Sequence, residues 1–202
     1  MEHDPTSGAG PSTTGNERHE ALDHAPPRIY VASLADYVAG ELHGEWIDAT
    51  QDIEDIRCAI DGMLARPRTN SRAEEYAIHD TDGFGAYRVG EYEPIERVAA
   101  VARGIVEHGP AFAAWAAECD GDLARLADFD DAYLGNYDST TDYAEQLADD
   151  IGLQHLIDEH IPDSLQAYVT VDTAALARDL ELGGDITTVE HPHGVWIFDP
   201  RM

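Results

Sequence analysis

Ten histidines, two cysteines and 41 acidic side chains are the groups in this 202-residue chain able to ligate metals or move protons. Their spacing supports little of that chemistry. His155 and His160 lie five apart, one more than the four residues that align two ligands on a helix face. His191-Pro192-His193 falls in an expected tight turn, and neither pair fits a standard zinc spacing. Asp128-x-Asp130-Asp131 opens like a calcium loop. Ala132 and Tyr133 then stand where an acid or Asn and a Gly are needed, and Ser139 where the closing Glu belongs. Gly83-x-Gly85 is followed by Arg88 in place of the third glycine of a dinucleotide fingerprint. There is no G-x-S-x-G, no phosphate-binding loop and no lysine for one. Cys58 and Cys119 form no C-x-x-C pair and are expected as small buried residues in a reducing compartment. A Ser-His-Asp set converges only in space and stays open at this stage. The expectation is a protein without catalytic residues, metal or cofactor.

The carboxylates carry the signal. Twelve arginines oppose the 41 acids, for a net charge of −29. Such a field repels nucleic acid and anionic membranes and attracts basic surfaces. Direct DNA or RNA binding needs cations to neutralise phosphates, so neither is expected. The imbalance is uneven. Residues 1–103 carry 20 acids and nine arginines, whereas residues 104–202 carry 21 acids and three. Between Glu118 and Asp163 fourteen acids face Arg125 alone. In Leu126–Ser139 (LADFDDAYLGNYDS), Asp128, Asp130, Asp131 and Asp138 surround Phe129, Tyr133 and Tyr137. Aromatics there can anchor the segment while carboxylates face outward. Asp142, Glu145, Asp149 and Asp150 follow on an expected helix, where acids three or four apart sit about 5–6 Å from one another and repel. Duplex DNA presents one negative charge per roughly 1.7 Å of axis, and rows of carboxylates reproduce part of that field. These eight acids are the candidate partner-binding surface, a decoy for a groove built to hold DNA. Two other readings remain open on charge alone: a generic acidic protein binding some basic partner, and an adaptation to high salt.

The elements that must position these groups follow from periodicity. Residues 1–27 are rich in Gly, Pro, Ser and Thr and read as a disordered tail. Strands are expected at Arg28–Ser33, Gly44–Ala49 and Glu75–Asp80, with a short fourth at Tyr87–Val89. Ile53, Ile56, Ile60, Met63 and Leu64 predict a helix between the second and third. From Pro94 two helical stripes run to Cys119, broken at Gly109-Pro110. Ser139-x-x-Asp142 resembles a capping box and marks an expected helix start. Further helices are expected at Leu153–His160 and from Thr173 to Gly183-Gly184, then a hairpin over Ile186–Glu190 and Val195–Asp199. The fold class is α+β, with breaks near residues 90 and 128 that divide it into an α+β part over 28–90, a helical part over 91–127 and an α+β part over 128–202. No signal peptide or apolar span long enough for a bilayer is evident, which points to the cytoplasm.

Taken together, the blocks RIYVASLADYVAGELHGEWIDA (Arg28–Ala49), EEYAIHD (Glu74–Asp80), VGEYEPI (Val89–Ile95), DFDDAYLGNYDS (Asp128–Ser139), IPDSLQAYV (Ile161–Val169) and ARDLELGGDI (Ala177–Ile186) resemble the ArdA-type antirestriction proteins. The resemblance runs from about residue 28 to 199 in the family's order. It implies a non-catalytic DNA mimic of mobile elements that inhibits type I restriction-modification enzymes at their methyltransferase core. It also implies an elongated molecule of three small domains and a homodimer joined through the C-terminal ones. Asp128, Asp130, Asp131 and Asp138 match the family's acidic segment. Val169-Thr170-Val171 departs from the acid-aromatic pattern expected after Tyr168.

Overall fold

A computed structural model describes residues 25–69 and 73–201. Most of the expected N-terminal tail, residues 1–24, lies outside them. The chain is α+β, with two antiparallel three-stranded sheets separated in sequence by helices. The first sheet has the order β2-β1-β3, from β1 (Arg28–Ser33), β2 (Gly44–Asp48) and β3 (Tyr76–Asp82). A one-turn α1 (Leu34–Val38) follows β1, and α2 (Ile53–Leu64) lies between β2 and β3. The middle consists of α3 (Ile95–His108) and α4 (Pro110–Glu118), then the single turns α5 (Leu123–Leu126) and α6 (Phe129–Ala132). The second sheet has the order β4-β6-β5, from β4 (Tyr133–Tyr137), β5 (Thr187–His191) and β6 (Gly194–Phe198). Between β4 and β5 run α7 (Thr140–Asp150), α8 (Leu153–His160), α9 (Asp163–Gln166) and α10 (Thr173–Gly183).

The local reasons are mostly those read from the sequence. Ser139 caps α7, its Oγ accepting from the Asp142 N–H at 3.2 Å. Gly184 closes α10 in the left-handed conformation at φ 73°. Gly109, at φ 78° and ψ −161°, breaks the helical run, and Pro110 starts α4 where a missing N–H costs nothing. α4 buries six successive residues, Ala111 to Ala116, as a helix enclosed on all sides must. Around it lies one continuous apolar cluster, running from Ile29 and Ile47 through Val98 and Trp115 to Phe129 and Phe198. The fully buried Trp115 donates its Nε1–H to the Arg125 carbonyl at 2.9 Å, and its ring centre lies 5.4 Å from that of Phe198.

Two expectations fail for identifiable reasons. Tyr87–Val89 is irregular, because turns at Gly83 (φ 81°) and Gly85 (φ 57°) come just before it. Tyr87 is instead buried, its hydroxyl donating to Glu93 Oε1 at 3.2 Å. Cys58 is exposed, not buried. The buried face of α2 is formed by Ile56, Ile60, Met63 and Leu64, and a residue two after Ile56 points to the opposite side.

A buried polar knot ties the first sheet's loops together. Asp36 and Ser33 are fully buried and His43 almost so. The Asp36 carboxylate lies 2.6 Å from His43 Nδ1 and accepts from the N–H groups of Arg68 and Thr69 and from Thr69 Oγ1. Burial alone would push this carboxyl up. The hydrogen bonds from His43, Thr69 and Arg68 outweigh it and hold the group well below the usual carboxylate range. The carboxylate therefore stabilises the fold above the ordinary carboxylate value of about 3.9, and that contribution is lost as pH falls through the depressed value. Asn at this position turns an amide N–H₂ toward donors that need an acceptor. Asp36→Asn should thus lower Tm at pH 7, and the gap to wild type should narrow as pH drops below about 4, in thermal melts across pH.

Candidate functional site

The acidic segment is built outward from buried aromatics. Phe129 and Ala132 of α6 are buried, while Asp128, Asp130 and Asp131 beside them are exposed. Asp128 occupies the N-cap position of α6 without capping it, so its carboxylate is not used by the helix. Tyr133 and Tyr137 of β4 are half-buried, and Asp138 immediately after them is exposed. β4 pairs with β6, setting Tyr133 opposite Phe198 and Tyr137 opposite Val195.

α7 carries the second group. Ala144 and Ala148 form its buried stripe, and Asp142, Glu145, Asp149 and Asp150 are all exposed. Asp142 sits in the first turn, where the helix dipole favours an acid. Asp149 and Asp150 occupy the last turn, where it disfavours them. Rings link the two groups: Tyr137 and Tyr143 lie 5.2 Å apart, edge to face. Burial pushes the Tyr137 hydroxyl's pKa up, and the charge of Asp150 adds to the shift.

All eight acids read from the sequence are therefore exposed, in two clusters on neighbouring elements. The other six acids between Glu118 and Asp163 are exposed as well. Among the described residues, the one ion-pair contact to any of these fourteen is His108 Nδ1 at 3.5 Å from Asp130. Arg125, the segment's sole arginine, turns away from them, its guanidinium 5.1 Å from the centre of the Trp115 ring. The N-terminal half behaves differently. Arg28 pairs with Asp82, Arg57 with Glu96, Arg66 with Glu45 and Arg97 with Glu93. The charge imbalance was legible in the sequence, but the inward turn of Arg125 and the contact to His108 were not, because both depend on tertiary packing.

Little else invites chemistry. Among the described residues, no three His, Cys, Asp or Glu side chains converge as metal ligands. His155 and His160 are exposed on α8. His191 is engaged, stacking on Trp196 at 4.3 Å with its Nε2 2.9 Å from Asn136 Oδ1. The Asp36–His43 pair has the look of a catalytic dyad, but the carboxylate's remaining capacity is taken up by Arg68 and Thr69. Burial pushes the Cys119 thiol up to about 11; Arg125 opposes the shift, and Glu118, Asp122 and Asp128 reinforce it. At neutral pH that sulfur is a protonated, unreactive thiol.

The array is thus one of exposed carboxylates on a packed scaffold, with His108 their one ion-pair contact among the described residues. The sequence profile of the antirestriction protein (ArdA) family matches residues 29–195. The chain belongs to the ArdA antirestriction family. Proteins of this family are non-enzymatic DNA mimics that inhibit type I restriction-modification enzymes. No individual curated protein matches the chain. No helix among the described residues is long and apolar enough to cross a membrane.

The two cysteines provide a check on the folded state. One thiol per native chain, that of the exposed Cys58, should react with a thiol reagent at pH 7.5, and the second should react only on unfolding. Rapid labelling of both in the native protein would contradict the burial of Cys119.

Proposed function

We propose that this ArdA protein occupies the DNA groove of the methyltransferase core of a type I enzyme. Asp128, Asp130, Asp131, Asp138, Asp142, Glu145, Asp149 and Asp150 supply the mimicking charge. The observation that carries the reading is the contrast in pairing: four acids of the N-terminal half, Glu45, Asp82, Glu93 and Glu96, pair with arginines, whereas among the described residues the one ion-pair contact to the eight-residue surface is that of His108 with Asp130. Carboxylates without internal counterions attract a groove lined with Lys and Arg, as the phosphates of DNA do. The site of action is the cytoplasm, where such enzymes meet incoming DNA. The chain is read as three units, 28–90, 91–127 and 128–202, with the last carrying both the acidic segment and the dimer contact.

The functional unit is a homodimer joined through the C-terminal unit. An uncovered apolar surface supports this. α8 and α9 contain no buried residue, and Ile151, Leu156, Leu165, Tyr168 and Val169 are all exposed. Tyr168 reaches 84% exposure. A surface of this kind in an otherwise acidic region is a candidate for burial against a second copy. Leu165→Asp combined with Tyr168→Asp should halve the mass seen by light scattering while leaving far-UV circular dichroism unchanged. An unchanged mass would place the contact elsewhere.

The mimic reading predicts how binding energy is distributed. In competition against labelled duplex on a type I methyltransferase core, any one neutralising change among the eight (Asp→Asn, or Glu145→Gln) should weaken inhibition by no more than about threefold, as expected for one solvent-exposed pair. Neutralising all eight should weaken it by at least about a hundredfold, if each contributes a few tenths of a kcal/mol or more. Loss of all inhibition from one substitution would point to a local hot spot. Full inhibition by the eightfold variant would place the binding surface elsewhere.

A further inference from the structure

We propose that Phe129 is the positioning residue of the acidic surface, fixing the direction in which Asp128, Asp130 and Asp131 present their charge. This rests on the reading that those three acids touch the target enzyme. The three carboxylates stand on and beside a helix of one turn, too short to hold its own shape. Its aromatic anchor is Phe129, 4% exposed. That ring lies against four others, with centres at 4.7 Å (His108), 5.1 Å (Phe112), 5.2 Å (Tyr133) and 6.4 Å (Phe198). The four come from α3, α4, β4 and β6, so one side chain ties the acidic turn to four other elements.

The seat is shaped for this. A Cβ built on Gly104 would lie 2.2 Å from the Phe112 ring, so only glycine lets that ring reach its place beneath Phe129. His108 stacks on Phe112 at 5.5 Å, and its Nδ1 approaches Asp130. It therefore supports the ring from one side and a displayed carboxylate from the other. The turn gains no bracing from the acids themselves, which repel one another. A mimic whose charges are fixed before contact loses less conformational entropy on binding than one whose charges must be ordered by the groove.

Charge count and charge position separate in kinetics. Steering over distance depends on total charge and sets the association rate, whereas the fit of the docked surface sets dissociation. The test measures both rates, and their salt dependence, for the full chain binding a type I methyltransferase core, well below Tm. Three variants are compared: Phe129→Leu, the triple Asp128→Asn/Asp130→Asn/Asp131→Asn, and Ile56→Val, a core change remote from the acids. Phe129→Leu should dissociate about tenfold faster, with the association rate and salt slope of wild type. The triple should associate more slowly with a shallower salt slope, and Ile56→Val should leave both rates unchanged. Should Phe129→Leu fail to fold, His108→Ala, at a partly exposed position, should raise dissociation in the same direction by a smaller factor. A folded Phe129→Leu that dissociates like wild type, beside a weakened triple, would overturn the positioning role and leave the reading of the acids intact. Wild-type binding by the triple would overturn both. A dissociation rate raised equally by Ile56→Val would make the effect one of general stability and overturn the role of Phe129.

Discussion

Carboxylates three or four residues apart on a helix repel one another, and α7 carries such a row, while α6 carries Asp130 and Asp131 with Asp128 at its N-cap position. The rest of the molecule is arranged around that repulsion. A helix ending in Asp149-Asp150 is opposed by its own dipole, so it must be held by packing. α7 buries Ala144 and Ala148, and α6 is held by Phe129. Phe129 belongs to the apolar cluster that continues through Trp115 and α4 into the first sheet, whereas α7 packs on α10, α8 and β4. Such packing offsets an electrostatic strain that, among the described residues, a single ion-pair contact, that of His108 with Asp130, relieves. The segment's own arginine, Arg125, lies over the face of the Trp115 indole.

This division of labour explains why the family needs no reaction centre. The buried polar groups of the first sheet, with Asp36 at their centre, complete one another's hydrogen bonds and hold loops. The thiol with the strongest upward shift is enclosed and inert. What the surface offers outward is charge in the C-terminal half and an apolar patch on α8 and α9. In the proposed reading the first faces a basic groove and the second a second copy of the chain.

Much of this was legible in the sequence, because periodicity and capping are local. Ile53, Ile56, Ile60, Met63 and Leu64 announced α2, and Ser139 with Asp142 announced the start of α7. The acids between Glu118 and Asp163 announced themselves by number, and their exposure followed from the cost of burying charge. The segment between them was harder. LADFDDAYLGNYDS holds two short elements, α6 and β4, too brief for a period to establish itself. The exposure of Cys58, the irregular path of Tyr87–Val89 and the open face of α8 and α9 depend on what packs against each residue. The stripe of Leu153, Leu156 and Ile157 looks the same in sequence whether a partner covers it or not.

The account stands or falls on whether the carboxylates act as phosphates do toward the target. The most direct measurement is the affinity of the intact protein for a type I methyltransferase core across salt, by titration in the absence of DNA. Replacement of duplex charge by carboxylates predicts a straight fall of log K against log salt, with a negative slope of several and shallower than that of DNA on the same enzyme. Affinity that does not change with salt would mean that apolar or shape contacts carry the complex, and the acidic surface would then have no part in inhibition.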